Sequence, residues 1–353
     1  MHHDTTPEED RAGLDVPRRI LERSGFGAAV PLFAADLNDA ADHAAARQAV
    51  TAHASRLWTE AVRTGAGTVD DRPLYWARLR LAARLRAWRP AFDLSEQDRA
   101  GLLHLLETAS RGVTELFFPP GERLLRIVVT GFDPFRLDED PACANPSGAA
   151  ALDLNGLTFP VGGRTAVVRT AVFPVRWDDF DAGLVEEALG RVHGEADAVL
   201  TLSRGRPDRF DLEVWNGVWR GGGTDNLGVS RTGRALPGDA PEWTRSTLPV
   251  REIAERIGAQ AVVNTEVTEV PAGGTDPVVR PGGPTPGSAA RRGGGGDYLS
   301  NEIAYRNTLL RDRAGTSVPA GHVHLPLTRS VDEHAPVLAG VREAVAAVAA
   351  TLA

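Results

Sequence analysis

The residues with the greatest potential for chemistry are one serine, one histidine and two neighbouring acids. Ser300 follows the glycines at 293–296, and His324 lies two residues before Pro326. Asp211 and Glu213 alternate along an extended segment, so their carboxylates point to the same side. A hydroxyl nucleophile, an imidazole base and a carboxylate that orients the imidazole are the groups needed for acyl transfer.

Each of these residues also has a more ordinary interpretation. Ser300 either sits near the positive end of a helix dipole, where negative charge is stabilised, or caps that helix. A carboxylate at 211 or 213 either orients an imidazole or pairs with a nearby arginine. His322 and His324 share one face of a strand and could hold a metal, but few acids lie nearby and a His-x-His pair is a weak ligand set.

A second group of residues has the character of a binding pocket. Phe132 and Phe135 bracket Asp133 and Pro134 at the end of the β-branched run 126–130. The proline stiffens the loop that carries both rings, which suits a pocket wall as well as a pair of core phenylalanines. Asn145, just before Pro146, offers an amide for substrate binding or for a turn.

Alternating strands and helices must position these side chains. From residue 123 onward this alternation predicts an α/β fold, a three-layer α/β/α sandwich with a mostly parallel central sheet, whose ligands bind at the carboxyl ends of the strands. The predicted strands are 124–130, 165–173, 197–202, 260–266 and 322–327. The predicted helices are 178–193, 248–258, 298–311 and 330–352.

An all-helical module of residues 1–120 precedes this region. Helical spacing runs through 31–63 and 74–85, and Ser95 with Asp98 resembles a capping box for a third helix. The arginines between the leucines of 78–86 are interpreted as a solvated helix face. A glycine- and proline-rich insertion at 271–296 is either mobile or a lid, and its composition favours mobility.

Composition excludes several classes of protein. The 353 residues are 42% hydrophobic and carry a formal net charge of −8, which argues against a nucleic-acid or membrane surface as the main partner. All 39 basic residues are arginine, so a catalytic lysine is excluded. The single cysteine, Cys143, excludes an internal disulfide and a cysteine-based zinc cluster. The acidic start lacks a signal-peptide pattern, and a cytoplasmic location is expected.

Taken in order, these motifs resemble pyroglutamyl peptidase I, the pyrrolidone-carboxylate peptidase family. Residues 130–135 resemble the family motif whose two phenylalanines flank the pyroglutamyl ring, and residues 145–147 resemble its Asn-Pro-Ser. Residues 205–213, with Asp225-Asn226 beyond them, resemble the segment that holds the catalytic glutamate. Residues 296–301 resemble the nucleophile motif, and residues 321–326 resemble the motif of the catalytic histidine.

The resemblance implies a catalytic set of Glu213, Ser300 and His324, with Asp211 as the alternative acid. It implies that Phe132, Phe135 and Asn145 bind the substrate. It covers residues 124 to about 330 and leaves out the helical module, whose role is unknown. The chain departs from the family at the nucleophile, where Ser300 stands in place of cysteine.

Two functions therefore follow from the resemblance. The first is an amidohydrolase that removes N-terminal pyroglutamyl or related cyclic amide groups with a Ser-His-Glu site, and the second is an inactive homologue that binds peptide ends or acts as a scaffold. A metal hydrolase using His322 and His324 is the least favoured. We expect no cofactor and no metal, a small pyroglutamyl-containing peptide as partner, and no nucleic acid or membrane. Members of that family often form oligomers, so the resemblance is compatible with a homo-oligomer.

Overall fold

The structure, a computed structural model, describes residues 5–65 and 69–353; residues 1–4 and 66–68 of the predicted helical module lie outside the described residues. The described part of the module is helical, as predicted. Its helices are α1 (Pro7–Arg11), α2 (Asp15–Ser24), α3 (Ala29–Asn38), α4 (His43–Gly65), α5 (Arg72–Ala87) and α6 (Glu96–Ser110).

Local sequence signals explain where these helices begin. The predicted cap of α6 is confirmed, because the Ser95 hydroxyl accepts a hydrogen bond from the Asp98 amide at 3.1 Å. The continuous helical pattern predicted over 31–63 is instead two helices. Asp42 accepts a hydrogen bond from the Ala45 amide at 2.8 Å and so starts α4 anew.

The rest of the chain is the predicted α/β region. Its strands are β1 (Leu124–Phe132), β2 (Thr158–Val161), β3 (Arg164–Phe173), β4 (Ala198–Arg204), β5 (Phe210–Glu213), β6 (Trp215–Gly217), β7 (Trp219–Thr224), β8 (Ser230–Arg234), β9 (Trp243–Arg245), β10 (Ala261–Asn264), β11 (Val267–Val270), β12 (Val278–Arg280), β13 (Ala289–Arg292) and β14 (Ala320–Leu325). Its helices are α7 (Pro146–Leu154), α8 (Trp177–Asp181), α9 (Leu184–Leu189), α10 (Val250–Ile257), α11 (Leu299–Arg313) and α12 (His334–Thr351).

The central sheet is mixed but mostly parallel, in the order β10-β5-β14-β4-β1-β3-β2. The four middle strands, β14, β4, β1 and β3, run parallel to one another. β5 is antiparallel to β14 and β2 is antiparallel to β3. All five predicted strands lie in this sheet, so the predicted fold class is confirmed.

Helices cover both faces of the sheet, which gives the three layers. In β1, Ile127 and Val129 join a core with α7 and α12, whereas Val128 joins the opposite core with α9 and α11. The helical module packs on the α7 side and shares that core, to which it contributes the fully buried Trp58 and Trp76. It is therefore part of the same packed body as the sheet.

Two expectations need correction. Arg78 is fully buried, so the interpretation of 78–86 as a solvated arginine face is wrong at that residue. The insertion at 271–296 is not a plain loop, because β12 and β13 pair on either side of β11 in a small antiparallel sheet. Within the described ranges no helix is long and apolar enough to cross a membrane.

Candidate active site

The centre of the site is a hydrogen-bonded pair of histidine and glutamate on neighbouring antiparallel strands. Nδ1 of His324, on β14, lies 2.8 Å from Oε1 of Glu213, on β5. The other carboxylate oxygen of Glu213 accepts a hydrogen bond from the side-chain amide of Asn264 at 2.8 Å. Burial raises the pKa of Glu213, and the bond to His324 acts in the opposite direction. The free Nε2 of His324 is thus the ring nitrogen left to act as a base.

The two candidate acids have different partners. Asp211 is the strand partner of His324, but Nη2 of Arg209 lies 2.8 Å from its carboxylate. Glu213 is the acid that contacts the imidazole. The geometry therefore favours Glu213 as the orienting acid and gives Asp211 the ion-pair role.

Glycines carry the chain close to this pair. A Cβ on Gly294 would lie 2.2 Å from Oε2 of Glu213, and a Cβ on Gly295 would lie 3.0 Å from Cε1 of His324. The carbonyl of Gly294 also accepts a hydrogen bond from Asn264 at 3.1 Å. The end of the insertion thus forms a wall of the site. Because glycine has no Cβ, its backbone can lie this close to Glu213 and His324.

Ser300 is the second residue of α11 and lines a cleft together with His324 and Glu213. A cavity of about 290 Å³ is lined by Ser300, His324, Glu213 and the glycines 293–296. The Ser300 hydroxyl donates to the carbonyl of Gly295 at 3.1 Å, so its proton is not directed at His324. The first-turn amides of α11 have no acceptor within the helix, which leaves them free to face an anion beside the hydroxyl.

His322 has a separate set of partners. Thr201 donates its hydroxyl proton to the Gly321 carbonyl at 3.1 Å, so its oxygen accepts from Nδ1 of His322 at 2.8 Å. Nε2 of His322 then accepts from the Ser203 hydroxyl at 2.8 Å. Burial holds the pKa of His322 well below its usual value, with a smaller effect of His324 in the same direction. Both ring nitrogens are engaged, and the described residues contain no cluster of three potential metal ligands.

Phe132 and Phe135 line a second, apolar cavity of about 40 Å³ that Ser300 also lines. Phe132 is buried and stacks on Phe180, with ring centroids 6.2 Å apart. Phe135 is half-buried, and the guanidinium carbon of Arg204 lies 4.1 Å from its ring centroid. Both predicted rings therefore border this second cavity, and a cation covers one of them.

Asn145 also lines this cavity, but its side chain is tied to the backbone. Its amide nitrogen donates to the Asp133 carbonyl at 2.9 Å, and its oxygen accepts from the Ser147 amide at 3.1 Å. These bonds hold the loop of residues 132–135, called the aromatic loop below, and cap α7. The turn interpretation of Asn145 thus accounts for its hydrogen bonds.

Sequence reasoning missed the residues that hold the aromatic loop from the helical module. The buried carboxylate of Asp133 contacts Arg78 at 2.5 Å and Arg111 at 2.6 Å. Asn226, from the predicted Asp225-Asn226 motif, donates to the Pro134 carbonyl at 2.9 Å and to Glu8 at 3.0 Å. Two features of the sequence could have indicated this ion pair: Asp133 lies between two phenylalanines, and Arg78 lies among the apolar residues of α5.

Comparisons with known proteins show the family to which the chain belongs. Family models described as the PA0049 N-terminal domain and the PA0049 C-terminal domain match residues 1–107 and residues 126–242 and 254–329. The chain belongs to the PA0049 family. A PA0049 family relative, the uncharacterized protein PA0049 of Pseudomonas aeruginosa, is 31% identical over 96% of this chain and 79% of its own length.

Solved structures similar to this PA0049 family member include pyrrolidone carboxyl peptidases. An E192V mutant from Pyrococcus furiosus is 21% identical, with a TM-score of 0.48, and covers 65% of this chain and 100% of its own. The enzyme from Thermococcus litoralis is 18% identical, with a TM-score of 0.47, and covers 65% of this chain and 94% of its own.

Proposed function

We propose that this chain is a serine amidohydrolase that cleaves the amide bond after an N-terminal pyroglutamyl or related acyl group. The observation that carries the proposal is the contact of 2.8 Å between His324 and Glu213 in a cleft that Ser300 also lines. A buried carboxylate on Nδ1 fixes the tautomer that leaves Nε2 as a base, and it stabilises the imidazolium that forms.

The reaction begins when the Ser300 hydroxyl turns from the Gly295 carbonyl towards His324. Its oxygen attacks the amide carbonyl while Nε2 of His324 takes the proton. The first-turn amides of α11 stabilise the oxyanion. Collapse of the tetrahedral intermediate transfers that proton to the leaving amine, and water, activated by the same imidazole, then releases the acyl group from Ser300. Phe132 and Phe135 hold the apolar part of the acyl group during both steps.

A chromogenic pyroglutamyl anilide, assayed beside the anilides of related acyl groups, tests this proposal. We expect turnover by the wild type, a loss of about 10³-fold or more in Ser300→Ala, and activity in Ser300→Cys. Ser203→Ala is the matched control, because Ser203 borders the aromatic cavity but bonds to His322. Turnover that survives in Ser300→Ala and disappears in Ser203→Ala would overturn the assignment of the nucleophile.

One observation favours a second function, an inactive homologue that binds peptide ends. In the structure the Ser300 hydroxyl bonds to Gly295 and not to His324. This alternative predicts saturable binding of a pyroglutamyl peptide without turnover in the wild type, weakened in Phe135→Ala. Strong activity in Ser300→Cys together with none in the wild type would support it, because the pocket would be intact and only the nucleophile ineffective.

A further inference from the structure

Arg204 occupies the junction between the two cavities of the site. It is the last residue of β4, at the carboxyl end of a central parallel strand. It lines the cleft of His324 and Glu213 as well as the cavity of Phe132 and Phe135, and Ser300 borders both. An acyl group that lies in the aromatic cavity beside Ser300 is therefore also beside Arg204.

The charge of Arg204 is not balanced inside the protein. Its Nη1 donates to the thiol sulfur of Cys143 at 3.0 Å, and among the described residues no carboxylate lies within 4.0 Å of its guanidinium. The buried Arg220, by contrast, contacts Glu302 through two nitrogens at 2.6 and 2.7 Å. A guanidinium has five N–H donors, so Arg204 keeps several for a ligand.

Three of the four acids that line the cleft are already engaged. Glu213 bonds to His324 and Asn264, and Asp211 contacts Arg209. Asp297 lies 3.5 Å from Arg292. The fourth, Glu266, is not within 4.0 Å of the Arg204 guanidinium, so the half-buried Arg204 borders the cleft without an ion-pair partner among the described residues, which is an arrangement that recognises a carboxylate.

The position of the guanidinium also disfavours a neutral ring. It lies 4.1 Å from the Phe135 ring centroid and covers one face of that ring. A neutral lactam that stacked on this face would have to displace the cation–π contact. A carboxylate, however, can bind the edge of the guanidinium where it stands.

Resting on the function proposed above, we propose that Arg204 is a specificity-determining residue that selects acyl groups bearing a carboxylate. The substrate class is then an amide of an acidic acyl group, such as a glutaryl amide, in preference to the neutral pyroglutamyl amide. The carboxylate pairs with Arg204, the methylene chain contacts Phe132 and Phe135, and the amide carbonyl reaches Ser300.

The test compares kcat/KM for glutaryl and pyroglutamyl anilides in the wild type and in variants. We expect the wild type to prefer the glutaryl anilide, and Arg204→Gln to lower the ratio of glutaryl to pyroglutamyl kcat/KM about tenfold to a hundredfold. Arg204→Lys should keep the direction of the preference. The matched control Arg136→Gln removes the same charge from an exposed side chain that follows Phe135 and lines neither cavity, and it should change the ratio less than about twofold. A wild-type preference for the pyroglutamyl anilide that Arg204→Gln leaves unchanged would overturn the proposal.

A binding measurement separates this proposal from the function on which it rests. Calorimetry on Ser300→Ala with glutaric acid monoamide and with pyroglutamic acid amide needs no turnover. Tighter binding of the monoamide that is lost in Ser300→Ala/Arg204→Gln supports the assignment of Arg204, even if no anilide is hydrolysed and the proposed hydrolase fails. Hydrolysis of the pyroglutamyl anilide, without measurable binding of the monoamide, supports the hydrolase and refutes the role of Arg204.

Discussion

Replacing Asp133 with asparagine should destabilise the protein far more than an ordinary loss of a surface charge. Asp133 lies between Phe132 and Phe135, and its carboxylate is almost wholly buried against Arg78 and Arg111, at 2.5 and 2.6 Å. Asparagine keeps the size of the side chain but removes its charge. Arg78 is fully buried, and burial lowers its pKa, whereas the charge of Asp133 acts in the opposite direction.

The expected magnitude follows from leaving a buried guanidinium uncompensated. Removing one partner of a buried ion pair costs about 3 to 5 kcal/mol, whereas an exposed pair contributes about 1 kcal/mol or less. Arg111 keeps Glu107 at 2.8 Å, whereas Arg78 keeps only a longer contact with the same carboxylate, at 4.0 Å, so most of the cost arises at Arg78. We therefore expect Asp133→Asn to lower the free energy of unfolding by about 3 kcal/mol or more.

Urea denaturation measures this loss, with Asp138→Asn as the matched control. Asp138 belongs to the same loop region and pairs with Arg11 at 2.7 Å, but its side chain is 78% exposed. The control should lose about 1 kcal/mol or less. Adding Arg78→Gln to Asp133→Asn should recover part of the loss, because the unpaired charge is then removed. Equal, small effects of Asp133→Asn and Asp138→Asn would refute the argument that the helical module holds the aromatic loop through these charges.

Three further predictions concern the catalytic cleft. Burial raises the pKa of Glu213, so the unfolded chain loses this proton before the folded chain does; the resulting loss of stability is absent below the unfolded pKa, grows as the pH rises and is complete above the raised pKa. Glu213→Gln should therefore lose about 10³-fold or more in turnover yet melt at pH 8 no lower than the wild type; a variant active within tenfold would contradict its role. Gly295→Ala places a methyl group 3.0 Å from Cε1 of His324 and should reduce turnover about 10²-fold, whereas Gly282→Ala, with open space around it, should not; equal activities would count against the close approach. The lowered pKa of His322 means that the unfolded chain takes up a proton below about pH 6.5 that the folded chain refuses, so stability falls on acidification. His322→Gln should reduce the slope of unfolding free energy against pH, measured between pH 7 and 5.5, by about 1 kcal/mol per pH unit, and an unchanged slope would show that His322 is not held neutral.

The parallel strands and the large helices were predictable because buried strands and helices require apolar residues at regular positions in the sequence. Residues 127–129 are apolar and β-branched because both faces of β1 are covered, and Ser95 with Asp98 marks the start of α6 by its capping chemistry. Such patterns depend on near neighbours in the chain. They are therefore readable without the fold.

The strand β5 escaped prediction for the opposite reason. Its sequence, Phe210 to Glu213, alternates apolar and acidic residues, which is the pattern of a half-exposed segment, yet all four residues are buried. The acids tolerate burial because Arg209 and His324 contact them. Arg209 is a near neighbour in the chain, but His324 lies on another strand 111 residues away, so the sequence alone did not reveal that the acidic segment is an inner strand.

The same limit applies to the site. The motifs brought Ser300, His324 and the acid pair to attention, but they left Glu213 and Asp211 as alternatives, and only the side-chain contact of His324 with Glu213 distinguishes the two acids. Asn264 and Arg204 carried no motif at all. Their importance depends on contacts with Glu213 and Phe135 that join distant parts of the chain.

The most direct test of the central claim is to trap the acyl-enzyme. The protein is mixed with an activated glutaryl or pyroglutamyl ester, quenched in acid within seconds and analysed by intact mass and peptide mapping. The account predicts one acyl group per chain, bound to Ser300 and absent from Ser300→Ala. No adduct in the wild type, or an adduct on Ser203 or Cys143 in place of Ser300, would contradict it.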